Sequence, residues 1–391
     1  MCVSDESTSG VVTADPGTSV GATTKSPPRR ERILAGAVVI ALASTFALLL
    51  AVLPAIETDD PRYVDVIDGD QVGLALAFVP LFATDEELER DLDAVAATGA
   101  TWIRFDFYWA VLEPERGSYR WEITDRVVRE ARERGLRVLG ILTYSPEWAR
   151  PKGTTDKSPP EDVADFARFS RKAASRYADR GVHAWEVWNE PNTGAFWEPG
   201  ADPTAYAELL ERTYRAVHAV DPRATVLTGG LAPVGDALDY VSEDGAHMSP
   251  WRFLSEVYVA GGKGSFDAVG HHPYPANPGG PAVSAPGNSF AQTADLHQLM
   301  VEHGDGAKRI WGTEAGSWTG ESAGAVSEQR QARLAGEMLD LWAKWDFVGP
   351  FFYYSLRNLG TSAREREDNF GLLHHGYRPK EALDSFDAAI R

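Results

Sequence analysis

Eight short apolar runs alternate with eight amphipathic stretches from residue 72 onward, and this alternation constrains the fold more than any other feature of the chain. Each run has the composition of a strand that is buried on both faces, as in parallel sheets. The runs span residues 72–78, 101–107, 136–142, 183–188, 224–229, 266–271, 309–314 and 349–355. The predicted helices between and after them span Asp85–Thr98, Trp121–Arg134, Asp162–Arg180, Pro203–Val220, Trp251–Val259, Gln292–Glu302, Glu328–Trp345 and Pro379–Ala389.

Strands that alternate with helices predict a parallel α/β fold, and eight repeats predict a closed (β/α)8 TIM barrel rather than an open sheet. No glycine-rich phosphate-binding loop follows any of the runs, which disfavours a nucleotide-binding fold. We expect the barrel domain to occupy residues 72–391.

The sequence before the barrel divides into three segments. Residues 1–32 are rich in Ser, Thr, Gly and Pro, which predicts a disordered tail. Residues 33–56 carry no charge and exceed the roughly 20 apolar residues that a transmembrane helix needs. Residues 57–71 then form a linker to the barrel.

Basic residues just before the uncharged run set its predicted orientation. They are Lys25, Arg29, Arg30 and Arg32. Their position predicts a cytoplasmic N-terminus, a single-pass membrane anchor and an extracellular barrel. The alternative is a long signal sequence that is cleaved near Ala55, which would make the protein a secreted one.

The formal net charge of −19 disfavours binding to nucleic acid or to anionic lipid head groups, and it suits a neutral partner better. The single cysteine, Cys2, excludes an intrachain disulfide.

Two glutamates occupy strand ends, where TIM barrels place their active sites. Glu190 follows the fourth predicted strand and Glu314 ends the seventh, on opposite sides of the ring, so their side chains can converge across its mouth. Glycoside hydrolysis uses such a pair, one carboxyl as the acid and the other as the nucleophile or the base. Both lie in aromatic stretches, WEVWNEPN and RIWGTEAGSW, and apolar surroundings favour the protonated form that the acid requires.

The WNEPN motif at the end of strand 4 and the TE pair at the end of strand 7 resemble glycoside hydrolase clan A. WNEPN followed by Phe196–Trp197, together with TYSPEWA at strand 3, is most similar to family 39 and its bacterial exopolysaccharide-hydrolase relatives. The cellulase-like family 5 shares most of the motif. The resemblance covers residues 72–390.

This resemblance implies roles for individual residues. It implies a retaining mechanism with Glu190 as acid/base and Glu314 as nucleophile. Asn189 would bind the sugar 2-hydroxyl, and Tyr274 would donate a hydrogen bond to the nucleophile. Arg104 would keep the nucleophile ionised by its charge.

The remaining candidate substrate-binding residues are mostly aromatic. His272 matches the histidine of the clan's His-x-Tyr pattern, and Tyr144 ends strand 3. Many clan members have a tryptophan at the end of strand 8, but this chain reads FFYYSLRN there, which leaves Tyr354 or an aromatic residue from elsewhere to form the sugar platform. Among the tryptophans in predicted strand-end loops, Trp197 is the best platform candidate. The others are Trp109, Trp148 and Trp318.

The paired histidines do not predict a metal site. Adjacent side chains on a strand point to opposite faces, so neither His271–His272 nor His374–His375 suits chelation, and we expect no metal and no cofactor. A Pro/Gly-rich segment at 275–288 follows strand 6 and is a candidate wall of the cleft.

The sequence therefore predicts a glycosidase that cleaves O-glycosidic bonds of an extracellular oligo- or polysaccharide, with β-linkage implied by the resemblance alone. The alternative is a catalytically inactive carbohydrate-binding protein on a TIM-barrel scaffold, and a structural envelope protein is a third possibility. The combination of Glu190, Glu314, Asn189, Tyr274 and Arg104 favours the enzyme, because binding alone would not need all five.

Overall fold

The computed structural model describes residues 71–390 except 236, 276–279 and 281–287. The predicted tail, the uncharged run at 33–56 and nearly all of the predicted linker lie outside the described residues. Among the described residues, no helix is long and apolar enough to cross a membrane.

Eight parallel strands close into a barrel in sequence order, which confirms the predicted TIM barrel. Each strand begins and ends within two residues of its predicted bounds. The strands are β1 (Val72–Ala77), β2 (Trp102–Tyr108), β3 (Arg137–Thr143), β4 (Ala184–Asn189), β5 (Thr225–Gly230), β6 (Ala268–His271), β7 (Arg309–Ala315) and β8 (Val348–Tyr353).

A helix of ten or more residues follows each strand. These helices are α1 (Asp85–Ala97), α2 (Glu122–Glu133), α3 (Val163–Tyr177), α4 (Pro203–His218), α5 (Pro250–Val259), α6 (Ser289–Glu302), α7 (Glu328–Trp342) and α8 (Glu381–Ile390). Polar side chains cap the backbone N–H groups at many of their N-termini. At α1, Thr84 and Glu87 form a reciprocal capping box. At α6, the Asn288 side chain accepts a hydrogen bond from the Phe290 N–H. Because of this cap, α6 begins three residues before its predicted start.

The core has two layers. Outward-facing strand residues pack with the buried helix faces in one large apolar cluster. A smaller cluster fills the barrel interior, where the ring of Trp102 lies edge-on to Trp311 at 5.6 Å and to Phe352 at 6.2 Å. Trp102 is the first residue of β2. The inward-facing residues later in that strand therefore lie between this aromatic layer and the C-terminal mouth of the barrel.

Departures from regular strand geometry turn the polar residues of β4 and β7 toward the mouth. Trp188 has a φ of 71° and packs outward against Phe166 of α3, and Glu190 has a φ of 47°. This break lets Asn189 and Glu190 both face inward, whereas strict alternation would place them on opposite faces. In β7, the pairing with β8 shifts register between Gly312 and Ala315, around Glu314.

Candidate active site

A pocket of about 960 Å³ lies at the C-terminal ends of the strands. Glu190 at the end of β4 and Glu314 in β7 both line it, so the structure brings together the two carboxylates that the sequence singled out. Other predicted residues that line it are Arg104, Tyr144, Asn189, Tyr274 and Tyr354.

Glu314 is held by two donors. Arg104 donates from Nη1 to Oε2 over 2.9 Å, and the Tyr274 hydroxyl donates to Oε1 over 2.5 Å. Burial alone would raise the pKa of Glu314. The attraction of Arg104 and the two hydrogen bonds outweigh burial, so the pKa of Glu314 lies below its ordinary value. Glu314 is therefore an ionised carboxylate in a fixed orientation.

Glu190 has a different partner. Its Oε1 lies 2.8 Å from Nδ1 of His272, whose side chain is fully buried. The other ring nitrogen of His272 lies 3.3 Å from Nη2 of Arg104, which has donors only. This contact favours a lone pair on Nε2 and a proton on Nδ1, so His272 can donate to Glu190 whenever Glu190 is ionised.

Arg104 contacts residues of both β4 and β7 at the base of the pocket. Nε and Nη2 bind both oxygens of the buried Glu186 at 2.8 and 3.1 Å, and Nη2 also donates to Asn189 Oδ1 at 2.9 Å. Glu186 is fixed in turn by the backbone N–H of Gly230 and by Thr313.

The substrate-binding roles of Arg104 and His272 stay predictions, and little of either side chain is exposed. Arg104 is only 1% exposed and its donors are occupied by protein groups, and His272 is fully buried. Arg104 holds Glu314 and Asn189, and His272 lies against Glu190. The predicted contact between Arg104 and Glu314 is present.

The prediction of Trp197 as a sugar platform is wrong. Its side chain is 2% exposed and packs edge-on between Trp188 and Tyr206 in the core. Its neighbour Phe196 lines the pocket instead. A loop sequence does not reveal which of two adjacent aromatic rings turns inward.

An aromatic wall stands at the β8 side of the pocket. Tyr354, the fourth residue of the FFYYSLRN stretch, lies edge-on to Phe370 at 5.0 Å, and Trp318 lies 5.4 Å from the same ring. All three line the pocket. Tyr354 thus occupies the side where the sequence left the platform open. Trp109 and Trp148, by contrast, pack edge-on to each other at 5.3 Å and do not line it.

Sequence reasoning missed several pocket residues. Asp106 and Lys157 line the pocket, and so do Phe78 and Phe82, which follow β1. Asp106 could have been found, because it lies two residues after Arg104 on β2 and must share its inward face. Lys157 gives no such signal, since it lies in the long β3–α3 connection.

The two histidines at the end of β6 face opposite ways, as adjacency predicted. His272 faces Glu190, and His271 Nδ1 lies 3.1 Å from Thr293 of α6. Burial lowers the pKa of His271 to about 3. Of the segment predicted as a cleft wall, Pro275 lines the pocket, while 276–279 and 281–287 lie outside the described residues.

Residues 68–300, more than half of the chain, match the family described as "Cellulase (glycosyl hydrolase family 5)". The chain belongs to this family. The predicted clan A relationship is thereby confirmed. Family 39, which the motif resembled most, is represented among solved structures with the same fold.

Two curated proteins share shorter segments with this family 5 member. A β-xylosidase of Geobacillus stearothermophilus is 41% identical over 92 residues, which cover 22% of this chain and 18% of the relative. The β-galactosidase Bga of Halorubrum lacusprofundi is 32% identical over 144 residues, which cover 30% of this chain and 20% of the relative. The matched segments thus span about a fifth of each relative.

Solved structures share the barrel at lower identity. A family 39 glycoside hydrolase from Bacteroides cellulosilyticus has a TM-score of 0.65 at 24% identity, covering 83% of this chain and 64% of the other. The GH5_18 enzyme from Streptomyces cattleya, solved with GlcNAc, has a TM-score of 0.64 at 19% identity, with coverage of 83% and 80%. At these identities the likeness extends to the fold.

Proposed function

We propose that this family 5 member is a retaining glycoside hydrolase that cleaves β-linked glycosidic bonds of an oligo- or polysaccharide by double displacement. The observation that carries the proposal is that two carboxylates face one pocket and have different hydrogen-bond partners. Glu314 is pinned by Arg104 and Tyr274 and favoured in its ionised form, as a nucleophile requires. Glu190 has neither contact and lies against a histidine that can donate to it.

The reaction follows from these roles in two steps. A Glu314 oxygen attacks the anomeric carbon while Glu190 gives its proton to the departing glycosidic oxygen, which leaves as an alcohol. A water molecule then attacks the same carbon, Glu190 takes its proton, and the bond to Glu314 breaks. The sugar leaves with its original configuration, and Glu190 is protonated again.

Asn189 suits binding to the sugar 2-hydroxyl. Its side-chain oxygen accepts from Arg104, which leaves the amide nitrogen as the group that can donate into the pocket. The same Arg104 holds Glu314, so the sugar-binding amide and the nucleophile are positioned by one guanidinium.

Exposed aromatic side chains support a substrate of more than one sugar. Phe78 is 47% exposed and Phe82 is 64% exposed, and both line the pocket beyond the end of β1. Aromatic faces bind the C–H faces of sugars, and large exposed aromatic residues at a pocket rim are typical of ligand contacts. The names of the curated relatives, a β-xylosidase and a β-galactosidase, support β-linkage.

The proposed location is the outer face of a membrane, through a single helix at 33–56 with the N-terminus in the cytoplasm. The support is the uncharged run itself and the basic residues before it. Secretion after cleavage near Ala55 is the competing outcome.

The test of the activity is a screen of the full chain, in detergent, against aryl β-glycosides and β-linked polysaccharides. Glu314→Gln serves as the matched control, since it keeps the size of the side chain and removes the nucleophile. We expect turnover with retained configuration in the wild type and its loss in Glu314→Gln. Binding of a glycan with no turnover by either protein would instead identify a carbohydrate-binding protein.

A further inference from the structure

Asp106 lies in the pocket at a place that the mechanism above does not use. It sits on β2 two residues after Arg104, on the same inward face and one step nearer the mouth. Its side chain is 6% exposed and lines the pocket. A carboxyl group buried to this degree is costly unless hydrogen-bond donors surround it.

Asp106 differs from the other buried acidic side chains in having no hydrogen-bond or ion-pair partner within the described residues. Glu186, for example, has four contacts, and Glu113 binds the indole of Trp109 and the N–H of Gly117. The buried acids with partners are Asp91, Glu113, Asp165, Glu186, Asp221 and Asp305. The acceptor oxygens of Asp106 are thus left for a group that enters the pocket.

A cation stands near this carboxyl. Lys157 also lines the pocket, and its Nζ lies 3.3 Å from the ring centroid of Tyr144 and 5.4 Å from that of Tyr108. Burial raises the pKa of Asp106 to about 7, against the opposing attraction of Arg104 and Lys157 and with the repulsion of Glu314 and Glu186. The same pocket therefore offers an acceptor, Asp106, and a donor, Lys157, and a sugar hydroxyl can donate to the first and accept from the second.

We propose that Asp106 is a specificity residue that accepts a hydrogen bond from the 3- or 4-hydroxyl of the sugar whose anomeric carbon reacts, with Lys157 donating to that hydroxyl. The position on the ring follows from the placement of Arg104, which ties together Asn189 and Glu314 on the 2-hydroxyl side. Asp106 is the next inward residue of β2 toward the mouth. We therefore place it against the hydroxyls that follow the 2-hydroxyl on the same sugar, at C3 or C4. This inference rests on the proposed function.

The test uses the full chain and a series of aryl glycosides of the sugar that it cleaves, each lacking the hydroxyl at C2, C3, C4 or C6. Above pH 7, where Asp106 is ionised, loss of the hydroxyl that it binds should lower wild-type kcat/KM by about 10- to 100-fold, the usual range for a hydrogen bond to a charged group. In Asp106→Ala, kcat/KM for the parent glycoside should fall by a similar factor. The ratio of parent to that one deoxy substrate should then drop to about 1, while the other ratios keep their wild-type values.

Two further proteins separate a contact from a structural effect. Asp106→Asn keeps the size of the side chain and should retain part of the discrimination, because the amide oxygen still accepts. Glu208→Gln changes an exposed acid on α4 that does not line the pocket and is paired with Arg212 at 2.9 Å, and it should leave every ratio at its wild-type value.

The outcome for Asp106 is separable from the outcome for the proposed function. Wild-type turnover tests the function, and the deoxy ratios test Asp106. If no turnover is found, calorimetric binding of the same parent and deoxy sugars supplies the ratios. An equal loss for all substrates in Asp106→Ala, with every ratio unchanged, would overturn the proposal and make Asp106 a structural residue.

Discussion

The guanidinium of Arg104 contacts two carboxylates, the fully buried one of Glu186 and the pocket-lining one of Glu314. Removing one partner of such a buried pair commonly costs about 3–5 kcal/mol, because the other charge is left unpaired. Substitution of Arg104 would therefore mix a loss of stability with a change at Glu314. Tyr274 contacts Glu314 without contacting Glu186, and it is the cleaner probe.

Replacing Tyr274 with Phe should move the acidic limb of the kcat/KM profile to higher pH. The Tyr274 hydrogen bond helps to hold the pKa of Glu314 below its ordinary value, so its loss raises that pKa. Glu314 acts as an anion, and activity is lost as the pH falls through its pKa. The limb should shift upward by about 1 pH unit, as loss of a hydrogen bond to a charged group implies. Tyr144→Phe, in the same pocket, should leave the limb in place, and an unmoved limb in Tyr274→Phe would contradict the assignment of Glu314.

Replacing Glu190 with Ala should make the rate depend on the leaving group. A dinitrophenyl glycoside needs little protonation, so its glycosylation should survive, whereas an alkyl glycoside should lose about 10²–10⁴-fold. Azide should then accelerate turnover of the activated substrate and give a product of retained configuration. Rates measured with and without azide on both substrates check this. Equal losses without rescue would show that Glu190 is not the acid/base.

The sequence predicted which residues form the site better than it predicted which way loop side chains point. Glu190, Glu314, Asn189 and Tyr274 follow from a motif, and all of them line the pocket. The platform role given to Trp197 failed, because the direction of a loop side chain depends on packing with distant residues such as Tyr206.

At the scale of elements, apolar runs fix where strands lie but not where they depart from regularity. The strand positions were predicted closely because buried strands are contiguous in sequence. The positive φ of Trp188 and the register shift around Glu314 were not predicted, since both arise from contacts with other elements. These two departures decide which side chains of β4 and β7 reach the mouth.

The short helix Val79–Phe82 provides a test of substrate length at this scale. The double substitution Phe78→Ala and Phe82→Ala should lower kcat/KM for long oligosaccharides by about 10-fold or more and change that for short aryl glycosides little, because only a longer chain reaches the rim. Val301→Ala, which changes an exposed apolar residue on α6 away from the pocket, is the control. Equal effects on short and long substrates would exclude a sugar contact at this rim.

For the whole molecule, the family match and the pocket concern the barrel, while the proposed cellular placement rests on the sequence of residues 33–56. The net charge of −19 of the full chain makes attraction to anionic lipid a poor means of membrane attachment. The uncharged run is therefore the segment to which we assign the proposed membrane attachment.

If residues 33–56 form the proposed membrane-spanning helix, the full chain should remain in the membrane pellet after a carbonate wash, while peripheral proteins are released. Introducing Leu42→Arg and Leu49→Arg should release it, since each arginine near the centre of a span costs about 2.5–3.5 kcal/mol on insertion scales. Protease added to intact cells should digest the barrel in the unsubstituted protein, because Lys25, Arg29, Arg30 and Arg32 favour a cytoplasmic N-terminus. N-terminal sequencing of the protein from cells provides the opposing outcome: a mature chain that begins just after Ala55 would mean that the run is a cleaved signal and that the enzyme is released.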